Sequence, residues 1–458
     1  MNRYFGNRTF YRHVLSIMLP IVLQQGITNL VSLLDNIMVG QVGTEQMSGV
    51  AISNQLLFVF QLCVFGSLSG AGIFCAQYFG KGDQEKVRSV FRYKVLSTIL
   101  ITVLAIAIFC LLGSPLICLF LTDTGNSASI EETLRYGLQY LRIMLIGLVP
   151  FAAVQLYSST MRETGETVIP MRASLTAVLV NMVGNYLLIF GHLGLPRMGV
   201  AGAAVATVIS RFVELAMILY YARTRQSRFP YFRGIYKTLS VPGELAVEIT
   251  KKGMPLLFNE LLWSAGTTII VQCYSTCGLN AVAAYNISST VSNLFFLAGM
   301  AMGNAISIIV GQELGAGLTD RARDSARKLL TMATLLCLCV SGVMALTAPL
   351  FPRIYNTIAE VRDLARSLLL LDACFMTFRS LYNCSYFALR SGGKSLLTFL
   401  FDSCSMWIIN IPLAFCLAHF TGLTLLPMYV VLQSLDVLKT VLGLYLVHRG
   451  IWVHNLTV

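Results

Sequence analysis

The chain has 458 residues, 56% of them hydrophobic and only 12% charged, with a net charge of +12 and a mean hydropathy of +0.72. Soluble domains carry about a quarter of their residues as Asp, Glu, Lys and Arg, so this composition excludes an ordinary soluble enzyme and makes the bilayer the solvent for most of the chain. The surplus of Lys and Arg implies no nucleic-acid partner, because basic loops beside anionic lipid account for it.

Apolar stretches near the roughly 20 residues needed to cross a bilayer follow one another at 14–39, 52–79, 94–113, 135–157, 168–190, 200–222, 254–276, 285–314, 328–348, 365–388, 396–418 and 424–447. Twelve spans are expected, six in each half. Arg3, Arg8 and Arg12 precede a full-length first span, which reads as a retained helix and not as a cleaved leader. With the N-terminus inside, the basic clusters Lys81–Lys94, Arg223–Lys252 and Arg321–Lys328 all fall in cytoplasmic segments, and the outer loops are nearly bare. Both termini are thus expected in the cytoplasm, at a bacterial cytoplasmic membrane. Residues 223–252, the longest polar stretch, mix basic residues with Phe229, Tyr231, Phe232 and Tyr236 and read as an amphipathic linker lying at the membrane surface. It divides an N-terminal lobe, 1–222, from a C-terminal lobe, 253–458.

Most of the twelve cysteines lie inside spans, where they act as small hydrophobes, and no histidine accompanies them in a metal-binding spacing. The run Ala388–Ser395 fits a relaxed phosphate-binding loop, but it joins two spans and lacks the preceding strand that such a loop requires. Neither a metal site nor catalytic spacing is found, so no enzyme and no cofactor are expected.

The halves repeat each other. Pro20, Gly43, Ile52, Phe60, Gln77, Gly80, Gly82 and Arg88 recur as Pro255, Gly278, Ile287, Phe295, Gln312, Gly315, Gly317 and Arg323, all at an offset of 235 positions. A second echo pairs Arg162–Glu166 with Arg390–Lys394 at an offset of 228. Duplicated apolar lobes are a hallmark of secondary transporters with a path between the halves. The paired proline openings, Asp35 followed by Met38-Val39-Gly40, the two Gly-x-Gly turns and the small-residue run Gly199–Thr207 together resemble the multidrug and toxic compound extrusion (MATE) transporters. The resemblance covers nearly the whole chain. It implies an all-α integral membrane fold of about twelve transmembrane helices in two pseudo-symmetric six-helix lobes.

Charges inside spans mark function, because each costs about 3 kcal/mol to insert. Gln25, Thr28, Asn29, Ser32, Asp35 and Asn36 form a polar stripe on the first span, and no basic residue lies within a helical turn of Asp35. Asn181 and Asn185 share a face of the fifth span, with Thr207 in the sixth. MATE proteins with a coupling-ion site in the N-terminal lobe hold Asp, Asn, Asp and Thr at the corresponding positions. Asp35, Asn181 and Thr207 match and Asn185 replaces the second carboxylate, so the resemblance makes these four the site for H⁺ or Na⁺. In the second lobe the glutamate of one family branch corresponds to Trp263, one turn from Glu260, and the tenth-span aspartate corresponds to Arg379. Glu260 beside Trp263 is a candidate organic-cation site combining charge with cation–π attraction. Arg211 with Glu214, Asp372 with Arg379, and Asp436 with Lys439 are candidate intramembrane charge pairs.

The expected function is secondary antiport by a monomer, exporting cationic or amphipathic organic compounds in exchange for H⁺ or Na⁺ by alternating access. A flippase for a lipid-linked precursor and a non-transporting membrane receptor or scaffold are the alternatives.

Overall fold

The computed structural model describes residues 4–121, 127–355 and 357–457, apart from the side chains of Leu33, Asn36, Ser127 and Ala128. Twelve long helices account for most of them. In chain order they are α1 (Arg8–Gly40), α2 (Thr44–Lys81), α3 (Gln84–Cys118), α4 (Ser127–Glu163), α5 (Val168–Phe190), α6 (Val200–Thr224), α7 (Gly243–Ser275), α8 (Leu279–Gly315), α9 (Thr319–Thr347), α10 (Ala359–Ser391), α11 (Ser395–Phe420) and α12 (Leu425–Arg449). Each coincides with one predicted span, and most reach several residues beyond it because polar helical turns continue out of the apolar stretch. Among the described residues, eleven of the twelve are long and apolar enough to cross a membrane by length and composition. The exception is α10, whose Arg362, Asp363, Arg366, Asp372 and Arg379 dilute its apolar character. Val361, Ala365, Leu368, Leu369 and Met376 are buried on one face of it, and Asp372 is buried among them. Thus α10 belongs to the bundle through its packed face, not through its mean hydropathy.

By their internal contacts the residues form two compact units, one of Leu23–Cys75 and Gln84–Glu248, the other of Met1–Val22, Ala76–Asp83 and Ile249–Val458. In the first unit α6 packs against α4 and α5, and α3 against α4. Lys94, read from sequence as a loop charge, is fully buried in α3 and ion-paired with Glu163 at 2.5 Å. Of the linker aromatics, Phe229 and Tyr231 are buried, whereas Tyr236 is 63% exposed. Phe232 stacks edge-on against Phe91 at 5.1 Å, and Tyr231, 0% exposed, shares a 2.7 Å hydroxyl contact with Thr164. Arg228 closes onto Glu166 at 2.6 Å. Burial raises the Tyr231 phenol above its ordinary range, so it stays a neutral hydroxyl.

In the second unit α10 packs against α8, α9 and α12. A core of Ala301, Ala305, Ile306, Ala326, Leu329 and Leu389 also takes in Val14, Ile17 and Ile21 from the start of α1. The two glycines of each Gly-x-Gly turn do different jobs. Gly82 and Gly317 adopt φ of 84° and 76°, where an L side chain is strained. Gly80 and Gly315 instead permit a reciprocal backbone crossing: a β-carbon on Gly80 would lie 1.9 Å from the Gln312 carbonyl oxygen, and one on Gly315 would lie 1.8 Å from that of Gln77. Gln77 and Gly80 map onto Gln312 and Gly315 at the repeat offset, so the crossing obeys the internal symmetry.

Helix α11 is irregular. Leu400–Cys404 and Met406–Asn410 are π-helical between α-helical ends. The widened stretch runs up to Pro412, which has no N–H to close an α-turn and whose ring presses on the carbonyl four residues back. The Gly392-Gly393 turn before α11, the decoy phosphate loop, is occupied by the chain itself: a β-carbon on Gly392 would meet the Trp452 carbonyl oxygen at 1.6 Å.

Candidate functional site

The small-residue run of α6 explains the first site. A β-carbon on Gly202 would lie 2.5 Å from the Leu188 carbonyl oxygen, and one on Gly184 would lie 2.9 Å from the β-carbon of Ala206. Helices α5 and α6 therefore approach backbone to backbone, which brings Thr207 to 3.1 Å from the Asn181 amide. On α5, Asn181 and Asn185 stand one turn apart and both are buried. Asn185 donates its Nδ2 to Asp35 Oδ1 at 2.7 Å. An ionised carboxylate only accepts, so the nitrogen of Asn181 is the atom that belongs toward it. In that orientation Nδ2 lies 2.9 Å from Asp35 Oδ2, and its Oδ1 accepts from the Thr207 hydroxyl at 3.1 Å.

The structure thus brings Asp35, Asn181, Asn185 and Thr207 together in one cluster. Asn185 Oδ1 is buried there with no hydrogen-bond partner, an oxygen available to a cation or a water. The rest of the predicted stripe does less. Thr28 and Ser32 return their hydroxyls to the carbonyls of Gln24 and Thr28, Asn29 is exposed, and the side chain of Asn36 lies outside the described residues. Asp35 is also less isolated than its own helix suggests. Arg211, one turn beyond Thr207 on α6, reaches it electrostatically while pairing with Glu214 at 3.0 Å and lying 5.3 Å from the Phe151 ring centre. The cluster therefore combines one carboxylate, neutral amides and a guanidinium already engaged elsewhere.

In the C-terminal unit a cavity of about 470 Å³ is lined by Trp263, Asp372, Arg379, Asp402, Asp436 and Lys439 together with Tyr274, Tyr285, Tyr382 and Tyr429. Two of its carboxylates are well bonded. Asp372 accepts from Ser288 at 3.2 Å, Gln433 at 3.3 Å, Ser292 and Tyr429. Asp402, on the π-helical stretch, accepts from Asn259 at 2.8 Å and from Tyr382. Of the three predicted charge pairs only Arg211–Glu214 forms. Asp372 and Arg379 are two helical turns apart, and Asp372 spends its acceptor capacity on hydroxyls. Arg379 lies 4.4 Å from the Phe296 ring centre and Lys439 lies 5.4 Å from that of Tyr382. Among the described residues neither cation, nor Asp436, makes an ion pair.

Trp263 faces this cavity, whereas Glu260 is not among the lining residues and lies within electrostatic reach of Arg390 and Asp402. Sequence reasoning missed Tyr382, Tyr429 and Gln433, because a tyrosine in an apolar span looks like core until a carboxylate is found beside it. Asp402 was legible as an in-span charge, but the widened helix that carries it had no clear signal.

A family model described as MatE matches residues 20–187 and 255–416, one segment in each half. The chain is 26% identical over 443 residues to a probable multidrug resistance protein NorM of Thermotoga maritima, covering 96% of this chain and 93% of that protein. It is 24% identical over 427 residues to a probable multidrug resistance protein YoeA of Bacillus subtilis, with 92% and 89% covered. Among solved structures, the Vibrio cholerae MATE transporter VcmN, in a mutant form, superposes with a TM-score of 0.86 at 17% identity, covering 98% of both chains. An outward-facing multidrug resistance MATE transporter of the MOP superfamily superposes with a TM-score of 0.83 at 18% identity, again over 98% of both.

Proposed function

The chain belongs to the MatE family, and from that premise we propose that it is a secondary antiporter exporting cationic or amphipathic organic compounds in exchange for H⁺ or Na⁺ by alternating access. The observation that carries this reading is the Asp35 cluster, one carboxylate among neutral amide and hydroxyl groups with an unsatisfied amide oxygen beside it. Such a site exchanges a single small cation without rebuilding its surroundings. The relatives' names as multidrug resistance proteins support export of small organic molecules.

Substrate is assigned to the C-terminal cavity, with Trp263 and the tyrosines offering π faces and Asp436 and Asp402 offering charge. Its volume is within the range of drug-sized pockets. Glu260 contributes from behind the lining, through the field at Asp402. The moving parts are the lobes 1–222 and 253–458, joined by 223–252, in a monomer whose termini face the cytoplasm of a bacterial cell. The flippase reading keeps one supporting observation, the unpaired Arg379 and Lys439 in the same cavity.

The test is substrate-stimulated ion flux in proteoliposomes. Adding an organic cation such as ethidium to the compartment from which it is exported should drive H⁺ or Na⁺ the other way. Dye movement unaffected by either ion gradient contradicts antiport, and displacement of dye by a pyrophosphate lipid favours the flippase.

A further inference from the structure

We propose that a pocket between the first turns of α9 and the last turns of α12 binds an anionic phospholipid, with Arg323 and Arg327 holding its phosphate. Four cations stand in the first turns of α9, and they divide into two kinds. Arg321 is ion-paired to Glu313 at 3.1 Å and Lys328 to Asp324 at 2.5 Å, and both line a separate cavity of about 730 Å³. Arg323 and Arg327 are four residues apart on one face, make no ion pair among the described residues, and line a pocket of about 320 Å³ that no carboxylate shares. Two adjacent guanidinium groups repel each other, and a bound anion removes that cost. Their planar donor forks match phosphate oxygens in bidentate fashion.

The rest of the pocket fits an amphiphile better than a free ion. Tyr4 and His448 share the polar mouth, while Leu330, Leu444, Val447 and Trp452 form apolar walls. Trp452 is 1% exposed and fixed by its indole N–H to the Val447 carbonyl at 3.0 Å. The hydroxyls of Thr331 and Thr334 bond back to the carbonyls of Arg327 and Leu330, so they ask nothing of a ligand. One turn further along the same face of α9, Leu335 and Leu338 are 50% and 54% exposed, a surface suited to an acyl chain. A phosphate at the helix ends with a chain running down α9 is the geometry of a lipid standing at the membrane surface.

The experiment uses the full chain, purified in detergent and titrated with dioleoyl phosphatidylglycerol, dioleoyl phosphatidylcholine or inorganic phosphate, with bound lipid counted by native mass spectrometry. Wild type and an Arg321→Gln control should retain phosphatidylglycerol at least fivefold better than phosphatidylcholine. Arg323→Gln combined with Arg327→Gln should abolish that preference, and millimolar inorganic phosphate should displace none of the lipid. Thr331→Trp, which fills the pocket and leaves both guanidiniums in place, should lose the lipid as well and serves if the double variant does not fold. Unchanged phosphatidylglycerol retention in either variant overturns the proposal. So does equal retention of phosphatidylcholine, which would mean an unselective groove, or displacement by inorganic phosphate, which would mean a free-anion site.

Discussion

Asp35 shows how far a single residue can be read. Its helix alone presents it as a carboxylate with amide and hydroxyl neighbours, and the fold supplies what a one-helix view cannot, the amides of α5 and the charge of Arg211 on α6. An amide in its place preserves shape but holds neither a proton nor a full negative charge. Asp35→Asn should therefore abolish ion-driven dye efflux while leaving the unfolding midpoint in detergent nearly unchanged. Wild-type efflux would reduce Asp35 to a packing role. The C-terminal charges were less legible, since the spacings of Asp372 with Arg379 and of Asp436 with Lys439 suggested neutralising pairs. Helical spacing reports only which residues share a face. Hydroxyl donors from other helices, invisible at that range, satisfy Asp372 in place of Arg379.

At the scale of the element, eleven of the twelve helices were legible because each is an apolar run of bilayer length, α10 was legible from its apolar core despite the charges that dilute it, and the ends blurred because polar turns extend them. The glycines separate two physical roles that look alike in sequence. Gly80→Ala places a β-carbon 1.9 Å from a backbone oxygen that no side-chain rotation can clear, whereas Gly82→Ala meets no atom within 4 Å and bears only left-handed strain. The first should cost about 1–3 kcal/mol or more as overpacking, and the second about 1 kcal/mol. Thermal unfolding in detergent checks this as a lower midpoint for Gly80→Ala than for Gly82→Ala. The reverse order would contradict the reciprocal crossing at Gln77 and Gln312. The π-helical stretch of α11 was not legible, since Pro412 signals a disturbance without saying how the turns upstream absorb it.

For the whole molecule, the duplication at a constant offset made the two-lobe plan legible, and the distribution of Lys and Arg implies the orientation. A cysteine replacing Leu195, in the α5–α6 loop, should react with an impermeant thiol reagent from outside intact cells, and one replacing Ser227 should not, in a background without accessible native cysteines. The opposite labelling would invert the topology. Energetically, exchange of a monovalent cation for one proton is electroneutral, so each unit of pH gradient supplies about 1.4 kcal/mol, or a tenfold concentration ratio. Such a pump works only if ion and substrate favour different arrangements of the lobes. The central claim is that these two ligands use different sites, the Asp35 cluster and the Trp263 cavity. Its most direct test is fluorescence polarisation of a bound organic-cation dye at several pH values, with and without Na⁺. Asp436→Asn and Trp263→Ala should each weaken dye binding about tenfold or more, the about 1.5–3 kcal/mol expected for a contact to a desolvated charge, with Glu260→Gln weaker in effect and the response to ions intact in all three. Asp35→Asn should bind the dye nearly as tightly as wild type and lose its response to pH and Na⁺. Loss of dye binding in Asp35→Asn, with wild-type binding in Asp436→Asn and Trp263→Ala, would place the substrate in the N-terminal lobe and contradict the account.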